Sequence, residues 1–122
     1  MLAPREMYEV GGTRSLSPSP KVLVADTDEI VVALISHILS RQGYSVDVAL
    51  AADSAAKQLS AREYAAILID SKLISALDGF RDRAARTILL SANTDPDLPV
   101  HAVIQKPIDF GSLVDTVAKC VK

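Results

Sequence analysis

The sequence lacks the features that mark several protein classes. Its 122 residues include a single cysteine, Cys120, so no internal disulfide can form. No apolar run is long enough to cross a bilayer. The N-terminal stretch MLAPREMYEV carries Glu6 and Glu9 where a signal peptide needs its apolar region. A net charge of -2 gives no basic field for nucleic acid. We therefore expect a cytoplasmic protein that binds neither a membrane nor nucleic acid.

The composition fits one globular domain preceded by a short tail. Hydrophobic residues make up 49% of the chain and charged residues 23%, as in ordinary soluble domains. Residues 1–20 contain Gly11 and Gly12 and then a run of Ser and Pro, which offers little to bury. We predict a disordered N-terminal tail over 1–20 and a domain over 21–122.

Within that domain, short apolar runs alternate with stretches of helical periodicity. The runs predict buried strands near 22–25, 44–48, 65–69, 87–90 and 102–104. The stretches predict helices near 30–39, 53–62, 73–84 and 110–121. Asp28 can cap the start of the first helix, and Gly43 can end it. The alternation predicts an α/β fold with a parallel sheet and helices on both faces.

Four of these strands end in groups that suit one another chemically. Asp26 follows the first strand, and Asp70 ends the third. Ser91 ends the fourth strand, and Lys106 follows the fifth. In a parallel sheet these ends meet at one edge, where ligands bind. Carboxylates there can bind Mg²⁺, while a hydroxyl and an ammonium can take up phosphoryl oxygens.

The segments that carry these groups resemble the receiver domain of two-component response regulators. The resemblance rests on KVLVADTDE, AAILID, TILLSA and VIQKPID followed by FGSL, and it covers residues 21–122. It implies a doubly wound, flavodoxin-like sheet of five parallel strands in the order 2-1-3-4-5.

The same resemblance assigns roles to the strand-end residues. It implies that Asp70 is the phosphoacceptor and that Asp26 and Asp70 hold Mg²⁺. It also implies that Ser91 is the hydroxyl switch residue and that Lys106 is the phosphate-binding lysine, joined to Pro107 by a cis peptide bond.

The sequence departs from the receiver pattern next to Asp26. Receivers usually carry a second acid at the position of Thr27, which offers a neutral oxygen but no charge. Asp28 remains as a further candidate metal ligand, although we favour a capping role for it. We therefore expect Mg²⁺ to bind more weakly than in an ordinary receiver.

Further departures follow the third and fourth strands. Residues 93–101 are few and contain Pro96 and Pro99, so we predict a shortened or absent fourth helix. Val103 stands where receivers usually have an aromatic switch residue. The helix after Asp70 is expected to begin early and to be reshaped, with its arginines on a solvated face. Partner binding would then use the first helix, the closing helix or residues 72–86.

We expect a stand-alone response regulator receiver domain that is not itself an enzyme. A histidine kinase or a phosphotransfer protein would supply the phosphoryl group to Asp70, and an unknown downstream protein would bind the product. The alternative is a degenerate receiver that docks a protein without needing phosphate. A flavodoxin-like cofactor carrier ranks last, because the acidic loop Asp26-Thr27-Asp28 would repel a phosphate.

Overall fold

The computed structural model describes residues 19–91 and 99–122. Most of the predicted tail, residues 1–18, lies outside the described residues, as does the larger part of the predicted fourth-helix region, residues 93–98. The strands are β1 (Lys21–Ala25), β2 (Ser45–Ala49), β3 (Ala66–Asp70), β4 (Thr87–Ser91) and β5 (Ala102–Gln105). The α-helices are α1 (Glu29–Arg41), α2 (Ala52–Ala61) and α3 (Phe110–Val121), and two 3₁₀ segments cover Ser71–Leu77 and Arg81–Arg86.

The five strands form one parallel sheet in the order β2-β1-β3-β4-β5. In the centre, Val24 of β1 pairs with Val48 of β2 on one side and with Leu68 of β3 on the other. Leu68 in turn pairs with Ile88 of β4. The predicted fold class and strand order are therefore confirmed.

Alternate side chains of the central strands pack into two separate hydrophobic cores. Val22 and Val24 of β1 pack with α1 and α3, while Leu23 and Ala25 pack with α2 and the first 3₁₀ segment. Strands β1, β3 and β4 are buried along almost their whole length, because helices cover both faces of the sheet. This is why their sequences are continuous apolar runs.

Helix α1 begins and ends where the sequence predicts. The Asp28 carboxylate accepts the N–H groups of Ile30 and Val31 and caps the helix start. At the other end Gly43 has a φ of 97°, a left-handed conformation that glycine adopts without a steric penalty. Its N–H donates to the carbonyl of Ser40, and the next N–H donates to Leu39, which is the Schellman arrangement.

The segment after β3 begins early, as predicted, but it is not an α-helix. It forms two 3₁₀ segments separated by residues 78–80, of which Asp78 and Gly79 favour turns over helix interiors. Its apolar periodicity nevertheless marks the buried side, since Leu73, Leu77 and Ala84 lie in the interior.

The expected solvated arginine face is confirmed for Arg81 and Arg86, which are exposed, but it is wrong for Arg83. The Arg83 side chain is only 12% exposed, and its guanidinium donates to backbone carbonyls instead of facing solvent. An arginine on a short helical segment can bury its stem while its Nη atoms donate to nearby carbonyls, so the sequence pattern alone does not distinguish the two cases.

Ten residues, 92–101, join β4 to β5. Of these, Pro99 to His101 are described and lie in no helix. Across the described part of the chain, no helix is long and apolar enough to span a membrane.

Candidate functional site

Three charged side chains converge at the carboxyl edge of the sheet. Asp26 directly follows β1, Asp70 ends β3, and Lys106 directly follows β5. The Asp26 N–H donates to the carbonyl of Ala49 at 3.1 Å, which continues the ladder between β1 and β2 to this edge. Asp26 is 2% exposed and Asp70 is 4% exposed, so both carboxylates lie in the interior of the fold.

Lys106 connects the two carboxylates. Its Nζ donates to Asp26 Oδ2 at 2.8 Å and to Asp70 Oδ1 at 2.6 Å. Its own backbone N–H donates to the carbonyl of Ser91 at 3.0 Å, and the following bond to Pro107 is cis, as the resemblance implied. Buried carboxylates need a cation and hydrogen bonds to offset their desolvation, and this ammonium provides both.

Backbone N–H groups hold the other oxygen of each carboxylate. The Asp28 N–H donates to Asp26 Oδ1 at 3.0 Å, and the Lys72 N–H donates to Asp70 Oδ2 at 2.9 Å. Each of the four carboxylate oxygens therefore accepts one hydrogen bond from a described residue. Because a carboxylate offers about four acceptor positions in all, both groups keep capacity for a further ligand.

The electrostatics favour a charged Lys106. Burial lowers the pKa of its ammonium, but the hydrogen bonds to Asp26 and Asp70, together with the charges of these two carboxylates, outweigh burial and raise it above its ordinary value. With two carboxylates and one ammonium, the cluster keeps a net negative charge that suits a cation.

Ser91 lies at the same edge. It is the last residue of β4 and is 3% exposed. In the sheet it is paired with Gln105, the residue before Lys106. The residue before Ser91, Leu90, is paired with Asp70. The strand register therefore places Ser91 one position beyond the residue paired with Asp70, at the same edge of the sheet as Asp70 and Lys106.

The two residues after Asp26 have different positions. The Asp28 side chain is used to cap α1, which agrees with the capping role favoured from the sequence. Thr27 is exposed at the rim. The acidic part of the cluster thus consists of Asp26 and Asp70.

These residues fit Mg²⁺ modestly. Among residues 19–91 and 99–122, no group of three acidic, histidine or cysteine side chains is arranged to hold a metal. Mg²⁺ usually keeps several waters and needs only one or two carboxylates besides phosphate oxygens. Asp26 and Asp70 meet that requirement, and the remaining acceptor positions on their oxygens are available to a cation.

One contact of the site was not anticipated, namely the backbone N–H of Lys72. Its signal in the sequence is general, since an Asp side chain often accepts the N–H two residues further on. Such a signal occurs at many Asp residues, and only the position of Asp70 at the sheet edge gives it a role.

Comparisons with known proteins give a consistent answer for the fold. No protein-family model matches the chain, and no curated protein matches it. Several solved structures, in contrast, match the chain in fold. The receiver domain of the Francisella response regulator 1452 is 26% identical, with a TM-score of 0.74 over 84% of this chain and 97% of that chain.

Two further solved structures share the fold at lower identity. The chemotaxis response regulator CheY4 of Vibrio cholerae is 19% identical, with a TM-score of 0.71 over 84% of this chain and 98% of its own. The receiver domain of the sensor histidine kinase PA1611 from Pseudomonas aeruginosa PAO1, with magnesium in its active-site cleft, is 20% identical, with a TM-score of 0.74 and the same coverage. The chain is similar to receiver domains and has diverged far from them in sequence.

Proposed function

We propose that this chain, whose fold is that of a divergent response regulator receiver domain, accepts a phosphoryl group on Asp70. The observation that supports the proposal is the placement of one lysine, Lys106, between two buried carboxylates at the carboxyl edge of the sheet. A buried ionic cluster of this kind costs desolvation energy and adds little net stability to the fold. Its presence is therefore better explained by a chemical role than by a structural one.

The chemistry follows from the contacts of Asp70. One carboxylate oxygen forms a bond to phosphorus, while the bond between phosphorus and the donor breaks and its electron pair leaves with the donor. The product is an acyl phosphate on Asp70. The Lys106 ammonium, already 2.6 Å from Asp70 Oδ1, can offset charge on the transferred group, and the Ser91 hydroxyl can donate to a phosphoryl oxygen.

Asp26 and Asp70 are the residues that would hold Mg²⁺. When bound, the ion neutralises phosphoryl oxygens and so lowers the barrier to attack by a carboxylate. The protein's own contribution is to hold the Asp70 carboxylate through Lys106 and the Lys72 N–H. This keeps the carboxylate in one orientation before the donor arrives.

The donor we propose is a histidine kinase or a phosphotransfer protein, with this chain as the acceptor and not as an enzyme in its own right. Signalling would then depend on a downstream protein that binds the phosphorylated form. We place this exchange in the cytoplasm, because two-component phosphotransfer takes place where the kinase meets its nucleotide.

The test is incubation with a small phosphodonor and Mg²⁺, followed by intact-mass measurement. We expect one phosphoryl group on the native chain and none on Asp70→Asn. Asp115→Asn serves as the matched control, since Asp115 is an exposed carboxylate on α3 and should label like the native chain. Labelling that persists in Asp70→Asn would reject Asp70 as the acceptor. A native chain that never labels, while keeping its fold, would favour the phosphate-independent docking module.

A further inference from the structure

A hydrogen bond joins the site directly to the segment that follows β3. Asp70 Oδ2 accepts the N–H of Lys72 at 2.9 Å, so the Asp70 side chain caps the first 3₁₀ segment. Hydrogen bonds within 3₁₀ segments have poorer geometry than those of α-helices. The cap therefore contributes a larger share of the local stability than it would in a long helix.

The first 3₁₀ segment packs against α2. Its buried side chains Leu73, Ala76 and Leu77 lie in the same core cluster as Ala55 and Leu59 of α2. All five are at most 5% exposed. Because such interiors are close-packed, a movement at the start of the segment cannot be absorbed locally and must shift its neighbours.

The second 3₁₀ segment is attached to the end of the same helix. Arg83 Nη1 donates to the Leu59 carbonyl at 2.6 Å and to the Arg62 carbonyl at 3.1 Å, which satisfies carbonyls at the C-terminal end of α2. The guanidinium also lies 5.0 Å from the centre of the Phe80 ring. Residues 71–86 and α2 are thus connected by both apolar packing and hydrogen bonds, and we call them the 3₁₀–α2 unit.

We propose that phosphorylation of Asp70 is transmitted to the 3₁₀–α2 unit through the Asp70 cap. The inference rests on the proposed function. When an Asp70 oxygen bonds to phosphorus, the carboxylate loses its charge. Oδ2 then becomes either a neutral carbonyl oxygen or the bridging oxygen. Both accept the Lys72 N–H more weakly than a carboxylate does, because the bond is no longer charge-assisted. The start of the segment must adopt a new arrangement, and both the apolar contacts with α2 and the hydrogen bonds of Arg83 carry that change to α2.

Hydrogen–deuterium exchange on the full chain tests the coupling. The chain is treated with Mg²⁺ and a small phosphodonor, with loading read from the intact mass of the same sample. We expect exchange to change by about three-fold or more in peptides covering 71–77 and 53–61, the size expected for one altered hydrogen bond. Peptides covering 30–39 and 110–121 should keep their rates.

A pair of variants tests the route. Arg83→Lys keeps the charge but cannot donate in the same fork to two carbonyls, so the response should remain at 71–77 and become smaller at 53–61, where only the apolar contacts with α2 are left. Arg86→Lys is the matched control, because Arg86 donates to Glu63 and to the Tyr64 carbonyl and has no bond to α2 among the described contacts. It should leave both responses in place.

The possible failures are distinguishable. Absence of loading overturns the proposed function and this inference together. Full loading without a change of exchange at residues 71–77 overturns the inference alone. An equal exchange response at 53–61 in the two arginine variants overturns the route through Arg83. Asp70→Asn gives a further check without phosphate. Asn keeps an acceptor oxygen but not the charge, so the Lys72 amide should exchange about three-fold faster. An unchanged rate overturns the capping step.

Discussion

Replacement of Lys106 by methionine should reveal how strongly the site depends on its single cation. Methionine keeps most of the apolar stem but removes the ammonium that donates to Asp26 Oδ2 and Asp70 Oδ1. The two carboxylates, 2% and 4% exposed, then lie in the interior without a counter-charge.

The expected cost follows from the burial of the three groups. Removal of one partner from a fully buried ion pair costs about 3–5 kcal/mol. The Lys106 side chain is 29% exposed, so water already screens part of its charge. We therefore expect the free energy of unfolding to fall by about 2–3 kcal/mol, which for a domain of this size lowers Tm by roughly 10–20 °C.

Mg²⁺ distinguishes a lost cation from lost packing. Because the ammonium no longer occupies positions on both carboxylates, Mg²⁺ should raise the Tm of Lys106→Met more than that of the native chain. The assay is thermal unfolding followed by circular dichroism, with and without millimolar Mg²⁺. Lys72→Met is the control, since Lys72 is an exposed lysine next to the site. The reasoning is refuted if Lys106→Met is as stable as this control, or if Mg²⁺ shifts both variants equally.

Three further predictions concern single positions. Thr27→Asp, which adds a carboxylate beside Asp26, should tighten Mg²⁺ binding by about three- to ten-fold in a calorimetric titration, and an unchanged affinity would mean that another oxygen already serves. The pKa of Tyr64 is raised by burial and by its hydrogen bond to Asp47, so the folded state keeps a proton that an unfolded tyrosine releases above pH 10. Stability should therefore fall as pH rises above 10, and Tyr64→Phe should flatten that slope in urea unfolding; equal slopes would show that Tyr64 does not contribute. Gly43→Ala should cost about 1 kcal/mol in the same assay, because alanine is strained at a φ of 97°, and a neutral result would mean that the turn relaxes.

The position of each strand-end group could be predicted because two simple patterns agree. A short apolar run fixes where a buried strand stops, and parallel strands place all such stops at one edge. Asp70 and Lys106 were therefore assigned to the same edge although they are 36 positions apart in the chain. Asp28 and Gly43 were also identifiable, since capping and a positive φ depend on local chemistry.

The local conformation after β3 was harder to predict. The apolar spacing from Leu73 to Ala84 identifies the buried side, but it is compatible with both an α-helix and 3₁₀ segments. Packing against α2 and the turn at Gly79 decide between the two. The burial of Arg83 depends on carbonyls at the end of α2, which no periodicity within residues 71–86 reveals.

By itself, the sequence determined the order of the elements, the caps of α1 and the chemical types that meet at the sheet edge. Only the tertiary structure decided which atoms make contact. Lys106 reaches Asp26 across 80 positions of chain, and the Asp70 oxygens are divided between that lysine and the Lys72 N–H. The physical reason is that the two kinds of feature depend on interactions at different separations along the chain. Strand ends and caps depend on a few neighbouring residues, whereas the pairing of buried charges depends on distances and desolvation that arise only after the two cores have packed.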